Sequence, residues 1–151
     1  MVSARSPRYG PVAYSLDFGL GGRHPDLQIA RIAQVFHMLR GLFSVVEHLY
    51  LKYDYRLTSS DWNIEVDRTR WRELPRTFGN VKILHIQNRL IEQLSRSLQP
   101  GEGESPLDLL PELQKISYSA FESLDYAFAP FIEARQKADH PVTVLQTAET
   151  W

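Results

Sequence analysis

The chain has 151 residues, of which 43% are hydrophobic and 23% are charged, a composition that predicts one folded domain rather than a disordered chain. Seventeen basic and eighteen acidic residues give a formal charge of −1, which argues against nucleic-acid binding because such proteins carry a clear basic excess. The absence of Cys excludes disulfides, thiol catalysis and Cys-ligated metal sites, and no apolar run is long enough to span a membrane.

Predicted strands and helices alternate along the chain. Residues 1–11 are polar and contain Pro and Gly, which predicts a loose lead-in, followed by a single domain over 12–147 and a tail at 148–151. Apolar residues that alternate with polar ones predict strands, and apolar residues at steps of three and four predict helices. The predicted strands are 12–18, 45–53, 81–86, 113–118 and 141–145, and the predicted helices are 27–43, a short one from about 68, 89–98 and about 125–138.

Gly and Pro residues mark several of the predicted boundaries. The glycines at 19–22 should end the first strand, and Pro75 should end or kink its helix just before it, because Pro lacks an N–H. Asn88 is the predicted cap of the next helix. The segment 105–108 has an N-cap Ser, then a Pro and an acid, which predicts one helical turn, and Pro130 belongs in the first turns of the last helix.

The strands share a repeated pattern, apolar-x-x-apolar-x-apolar. Clean matches begin at Val46, Val81 and Leu113, and looser ones begin at Ala13 and Val142, at intervals of about 29 to 35 residues. This predicts a leucine-rich-repeat-like solenoid of four to five irregular strand–helix units, with a mainly parallel sheet whose strands lie in chain order. The alternative is ordinary α/β alternation, since buried parallel strands are apolar in any case.

The residues between the apolar positions are predicted to line the other face of the sheet. We expect that face to bind a protein partner, whereas the alternative is a surface that is only solvated. Asp17, Tyr50, His85 and Ser117 should form one row across the strands. The predicted partner-binding residues are Asp17, His48, Tyr50, Lys52, His85, Gln87, Lys115 and Ser117.

Signatures of catalysis are sparse. The glycines at 19–22 follow a predicted strand and precede a predicted helix, as a phosphate-binding loop does, but His24 stands where G-x-G-x-x-G needs its third glycine. A small nucleotide-binding α/β enzyme that uses this Gly19–Gly22 loop is therefore the alternative function. Because neither H-E-x-x-H nor G-x-S-x-G occurs, we expect a protein that is not an enzyme and that has no catalytic residues, no metal and no cofactor.

A set of segments in fixed order carries a resemblance to a known family. They are Val-Val-Glu-His-Leu at 45–49, Trp-Arg-Glu-Leu at 71–74, Phe-Gly-Asn-Val-Lys at 78–82, Leu-Ser-Arg-Ser-Leu at 94–98, Leu-Leu-Pro-Glu-Leu at 109–113, Phe-Ile-Glu-Ala-Arg-Gln-Lys-Ala at 131–138 and Pro-Val-Thr-Val at 141–144. Over about 25–145 the chain resembles the C-terminal repeat region of F-box-like, leucine-rich-repeat hypothetical proteins of mushroom-forming fungi.

The resemblance implies a substrate-recognition domain that follows an F-box, the element that docks onto a cullin-based ubiquitin ligase. We expect no F-box helix bundle before the repeats, so the resemblance is expected to cover the substrate-facing part only. We therefore expect a non-catalytic protein–protein interaction module that is intracellular, either cytoplasmic or nuclear. Its partner is a protein of unknown identity, not nucleic acid or a membrane. Exposed terminal strands also predict self-association.

Overall fold

The computed structural model describes residues 2–3, 14–21, 44–54, 68–120, 123 and 125–148, together with positions 31, 34, 35, 37, 38 and 41. The fold is α/β. Its elements are β1 (Val2–Ser3), β2 (Tyr14–Gly21), β3 (Val46–Asp54), α1 (Arg68–Thr77), β4 (Ile83–Gln87), α2 (Asn88–Leu98), β5 (Lys115–Ser119), a 3-10 turn (Asp125–Phe128), α3 (Ala129–Lys137) and β6 (Thr143–Thr147).

The strands form one open, six-stranded sheet in the order β1-β2-β3-β4-β5-β6. Strands β2 to β6 are parallel, and β1 pairs antiparallel with β2. The predicted α/β class and the mainly parallel, sequentially ordered sheet are thus confirmed. The predicted lead-in contributes β1, and the six described positions between 31 and 41 are helical, within the predicted helix 27–43.

One face of the sheet carries the core. Leu49 lies beside Leu84 and Leu84 beside Ile116, so equivalent positions of successive strands meet on the same face. Helices α1, α2 and α3 all contribute to the same cluster, which places all three on this face. Every apolar position of the three clean repeats is buried: Val46, Leu49, Leu51, Val81, Leu84, Ile86, Leu113, Ile116 and Tyr118.

The fifth repeat was predicted one residue out of frame. Leu145 was expected in the core, but it lies on the opposite face and is 44% exposed. Val142 is buried and Val144 packs partly against the core in its place. A shift of one residue sends every side chain of a strand to the other face of the sheet. The looser pattern of the fifth repeat therefore placed Leu145 on the core face, where it does not lie.

Glycine does not end β2. The strand continues through Gly19 and Gly21, which pair with Lys52 and Asp54 of β3. The prediction of a break at Gly19 is therefore wrong, because the ladder to β3 outweighs the weak intrinsic preference of Gly for strands. Gly22 lies outside the described residues.

Two predicted helix boundaries are also wrong. Helix α1 does not end before Pro75 but continues to Thr77, since a Pro so near the end removes only the bond to the carbonyl of Trp71. A kink at this Pro, the other expectation, stays a prediction. Asn88 is the first residue of α2 rather than its cap, and Gln87 occupies the cap position without a side-chain bond. Pro130 lies in the first turn of α3, as predicted.

The segment 105–108 forms a hydrogen-bonded turn rather than a helical one. The N–H of Leu107 donates to Ser105 Oγ (3.2 Å), and the N–H of Ser105 donates to Asp108 Oδ2 (3.0 Å). The predicted capping residues therefore make their reciprocal bonds, but the chain bends away before a helix forms.

A carboxylate joins α1 to the loop that follows α2. Glu104 accepts hydrogen bonds from the N–H of Gly101 (2.7 Å), from Arg72 and from Arg76 (3.4 Å). The Gly101 N–H, and after it the Arg72 guanidinium, hold the pKa of Glu104 below its usual value. The ion pairs connect a helix of one strand–helix unit with the loop of the next.

Candidate functional site

The residues predicted to bind a partner lie together on the face of the sheet opposite the helices. The strand register confirms that the four residues of the predicted row are neighbours across the sheet: Asp17 pairs with Tyr50, Tyr50 with His85, and His85 with Ser117. All lie in parallel strands whose alternate residues face the core. We call this surface the polar face: Asp17, His48, Tyr50, Lys52, Ile83, His85, Gln87, Lys115, Ser117 and Leu145.

An aromatic stack occupies the middle of the polar face. The rings of Tyr50 and His85 are stacked, with their centroids 4.0 Å apart and their planes nearly parallel, at an interplanar angle of 4°. The ring of His48 lies 5.9 Å from that of His85, tilted by 34°. Because β3 and β4 fix the two backbones in register, the stacked rings form a preformed aromatic pair.

Charged groups flank the stack. Lys52 Nζ lies 3.7 Å from Asp17 Oδ1 and 5.9 Å from the centroid of the Tyr50 ring. Lys115 follows the row of His48 and Ile83, one row away from the stack. Among the described side chains, no carboxylate forms an ion pair with Lys115. Lys115 therefore adds a positive charge that no described carboxylate pairs with in this part of the polar face.

Burial keeps the two imidazoles neutral near pH 7. Desolvation, assisted by the charges of His48 and Lys115, lowers the pKa of His85 to about 4. Desolvation also lowers the pKa of His48, against the opposing effect of Glu47. The pKa of Tyr50 is raised, first by burial and then by the carboxylate of Asp17. The centre of the polar face thus offers neutral rings rather than charged ones.

The buried position of His85 predicts a loss of stability in mild acid. The folded protein binds this proton only near pH 4, whereas the unfolded chain binds it near pH 6.5. Between those values the unfolded state holds more protons, so lowering the pH favours unfolding. We expect the free energy of unfolding to fall less between pH 7 and pH 4.5 in His85→Gln than in the wild type, as measured by urea titration.

Tyr50→Phe is the matched control for this measurement, because it keeps a ring stacked on His85. It should retain the wild-type pH dependence. Equal slopes for His85→Gln and the wild type would contradict the assignment.

Ser117 occupies its predicted row but is only 2% exposed. It is a small residue with the larger His85 and Leu145 opposite it on the two neighbouring strands. The expectation that Ser117 contacts a partner stays a prediction, and its burial means that little of its side chain is accessible in the isolated chain. The other predicted residues of the polar face, including Gln87, are partly exposed.

The sequence reasoning missed Leu145 on this face. It pairs with Ser117 and so extends the row of Tyr50 and His85 to the last strand. The signal was present in Val142 and Val144, which offer a second apolar alternation one residue out of step with the repeat.

The proposed phosphate-binding loop is not a loop over its described part. Gly19 and Gly21 belong to β2 and pair with β3, so their amide groups are not arranged as a cradle at the start of a helix. The strand order also shows no reversal over the sheet that is described, whereas doubly wound nucleotide-binding folds bind ligands at such a reversal.

Other features of the described residues bear on metals and membranes. No group of three or more His, Asp and Glu side chains within those residues could hold a metal ion. In the same part of the chain, no helix combines the length and the apolar character needed to cross a bilayer.

Comparisons with family models, with curated proteins and with solved structures find no match to this chain.

Proposed function

We propose that the chain is a non-catalytic protein-recognition module, a leucine-rich-repeat-like solenoid whose polar face binds a protein partner. The observation that carries the proposal is that, over the described residues, three helices pack on one face of a parallel sheet. Helices α1, α2 and α3 share a single core on one face, while the opposite face holds an aromatic stack of two partly exposed residues. Parallel sheets are usually covered on both faces, so a face of this kind suits a docking partner.

The chemistry of the polar face favours a particular kind of partner. Tyr and neutral His rings supply weakly hydrated aromatic surface, which is typical of interface centres. The charge of Lys52 is matched by Asp17, whereas Lys115 has no described ion-pair partner. A fitting partner therefore places an apolar or aromatic side chain on the Tyr50–His85 stack and an acidic side chain near Lys115.

Lys115→Glu is expected to weaken partner binding strongly, because it places a negative charge where the partner's acidic group would lie. The matched control is Lys137→Glu, which makes the same charge change at an exposed position of α3. Each tagged variant is used to capture proteins from extracts of the source organism, and quantitative mass spectrometry compares the bound proteins. The expected result is a protein retained by the wild type and by Lys137→Glu but lost with Lys115→Glu.

A bound set that is identical for the three proteins would contradict the assignment of the polar face. Folding of each variant is checked by its urea midpoint, so that a lost partner is not confused with an unfolded bait.

By resemblance to the F-box-like family, the partner would be a protein that a ubiquitin ligase modifies. This finer proposal is supported by the resemblance alone. It has a separate readout: the captured partner should accumulate when the gene is deleted and carry ubiquitin chains when it is present. A partner whose level and ubiquitin content do not depend on the gene would leave recognition intact and exclude this role.

A further inference from the structure

The two ends of the sheet differ in how their outer edges are covered. At one end, β1 pairs antiparallel with β2 through Val2 and Ser3. At the other end, β6 is the last strand, and no strand in the described part of the chain pairs with its outer edge. A strand edge of this kind presents backbone groups that can pair with another chain.

The sequence of β6 lacks the devices that usually protect an edge. It reads Thr-Val-Leu-Gln-Thr, without a charge or a Pro, although natural edge strands commonly carry Lys or Pro, or a bulge. Leu145 is 44% exposed, and Tyr126, in the 3-10 turn that packs against β6, is 73% exposed. Val144 is only partly buried, while Ile116, its register partner in β5, is fully buried. The apolar core is thus incompletely covered at this end.

The direction of the backbone groups follows from one hydrogen bond. The N–H of Thr143 donates to the carbonyl of Gln114, 2.9 Å away, on the side of β5. Because successive residues of a strand point their backbone groups to opposite sides, Val144 and Gln146 direct their N–H and C=O groups away from β5. These two residues are the ones whose backbone is available for a further strand.

We propose that two copies of the chain pair antiparallel through their β6 edges, about a two-fold axis that passes beside Leu145. In this register Val144 of each copy lies opposite Gln146 of the other, and each such pair exchanges two backbone hydrogen bonds. Leu145 lies opposite Leu145 of the second copy as a non-hydrogen-bonded pair, in which side chains approach most closely. The two six-stranded sheets then form one continuous sheet.

In this register β6 is complementary to itself, and this favours a second copy of the chain as the strand that pairs with its outer edge. Thr143 lies opposite Thr147 of the second copy, and Leu145 faces its own equivalent, so β-branched and apolar residues pair across the axis. No charge within β6 is brought opposite a like charge. A two-fold interface requires such self-complementarity and is the commonest arrangement in homo-oligomers. This inference is independent of the proposed function of the polar face.

The first test is sedimentation velocity over a wide range of protein concentration. The wild type is expected to show a concentration-dependent dimer. Leu145→Lys places two ammonium groups opposite each other at the axis and is expected to raise the dimer dissociation constant at least about tenfold. The matched control is Val45→Lys, which adds the same charge at a similarly exposed apolar residue (49%) before β3, and it should dimerise as the wild type does.

The second test is residue-resolved amide hydrogen exchange in the wild type at low and at high concentration, which requires no variant to fold. The amides of Val144 and Gln146 should gain at least about tenfold protection on concentration. The amide of Thr143 already bonds to Gln114, so its exchange should change little. This pattern identifies the edge and the backbone groups that pair.

Several results would overturn the inference. These are a monomer at every concentration, a dimer that Leu145→Lys and Val45→Lys affect equally, and a dimer in which the amides of Val144 and Gln146 gain no protection. If the edge instead receives an extended segment of another protein, the isolated chain stays monomeric, and that outcome also rejects the second copy as the occupant.

Discussion

Replacement of Arg135 with Ala is expected to lower the free energy of unfolding by about 3 kcal/mol. Arg135 is 1% exposed although it carries a charge. Its guanidinium donates to the carbonyls of Leu110 (3.3 Å), Pro111 (3.0 Å), Leu113 (2.9 Å) and His140 (3.2 Å). One side chain of α3 thus holds the loop before β5 and the turn before β6.

The size of the effect follows from what the substitution leaves behind. The carbonyl of Leu113 would keep its burial but lose its donor, and an unsatisfied buried acceptor costs about 1 to 3 kcal/mol, whereas the carbonyl of Leu110 would keep the N–H of Leu113 as its only donor. The φ angle of Leu110 is 50°, a left-handed conformation that a non-glycine residue adopts at a cost and that the surrounding contacts must hold. Loss of the guanidinium also leaves a cavity beside Phe131, whose ring lies 5.9 Å from it.

Two further variants separate this account from a general effect of losing an arginine. Arg96 is exposed, and among the described residues it pairs only with Glu92 on the same helix, so Arg96→Ala should cost no more than about 0.5 kcal/mol. Arg135→Lys keeps the charge but has no planar fork, and it should fall between the wild type and Arg135→Ala. Urea unfolding measures all three. A cost below about 1 kcal/mol for Arg135→Ala would contradict the structural role of the guanidinium.

The sheet and its buried positions were predictable because their signal is local. Apolar residues at alternate positions, repeated at similar intervals, predict both the strand and the side that faces the core. Leu49, Leu84 and Ile116 follow this pattern and are buried in register. The row of Tyr50 and His85 follows from the same alternation, since residues between core positions must face the other way.

Features that depend on distant parts of the chain were not predictable in this way. The carbonyls that Arg135 binds in the loop before β5 lie 22 to 25 residues earlier in the sequence, and nothing in the local pattern of α3 identifies them. The strand at Gly19 is likewise imposed by its neighbour β3. Leu145 was misplaced because two alternations compete in β6, and only the pairing with β5 selects one of them.

The two faces of the sheet predict the second large effect, a difference in unfolding free energy between substitutions at two adjacent residues of β4. Leu84 is buried on the core face, and Leu84→Ala is expected to lower the free energy of unfolding by about 3 kcal/mol. Ile83 lies on the polar face and is partly exposed, so Ile83→Ala should cost less than about 1.5 kcal/mol. The two substitutions remove aliphatic side chains of equal size from neighbouring positions of one strand.

Because both residues lie in β4 and pair with the same two neighbouring strands, the difference between them chiefly reports which face is covered. Urea unfolding at pH 7 measures the two variants side by side. Equal losses would mean that the polar face is as closely packed as the core, and a partner could not reach the Tyr50–His85 stack without displacing what covers it. A large loss at Leu84 with a small one at Ile83 is the result that a docking face requires, since its residues must be removable without unfolding the domain that presents them.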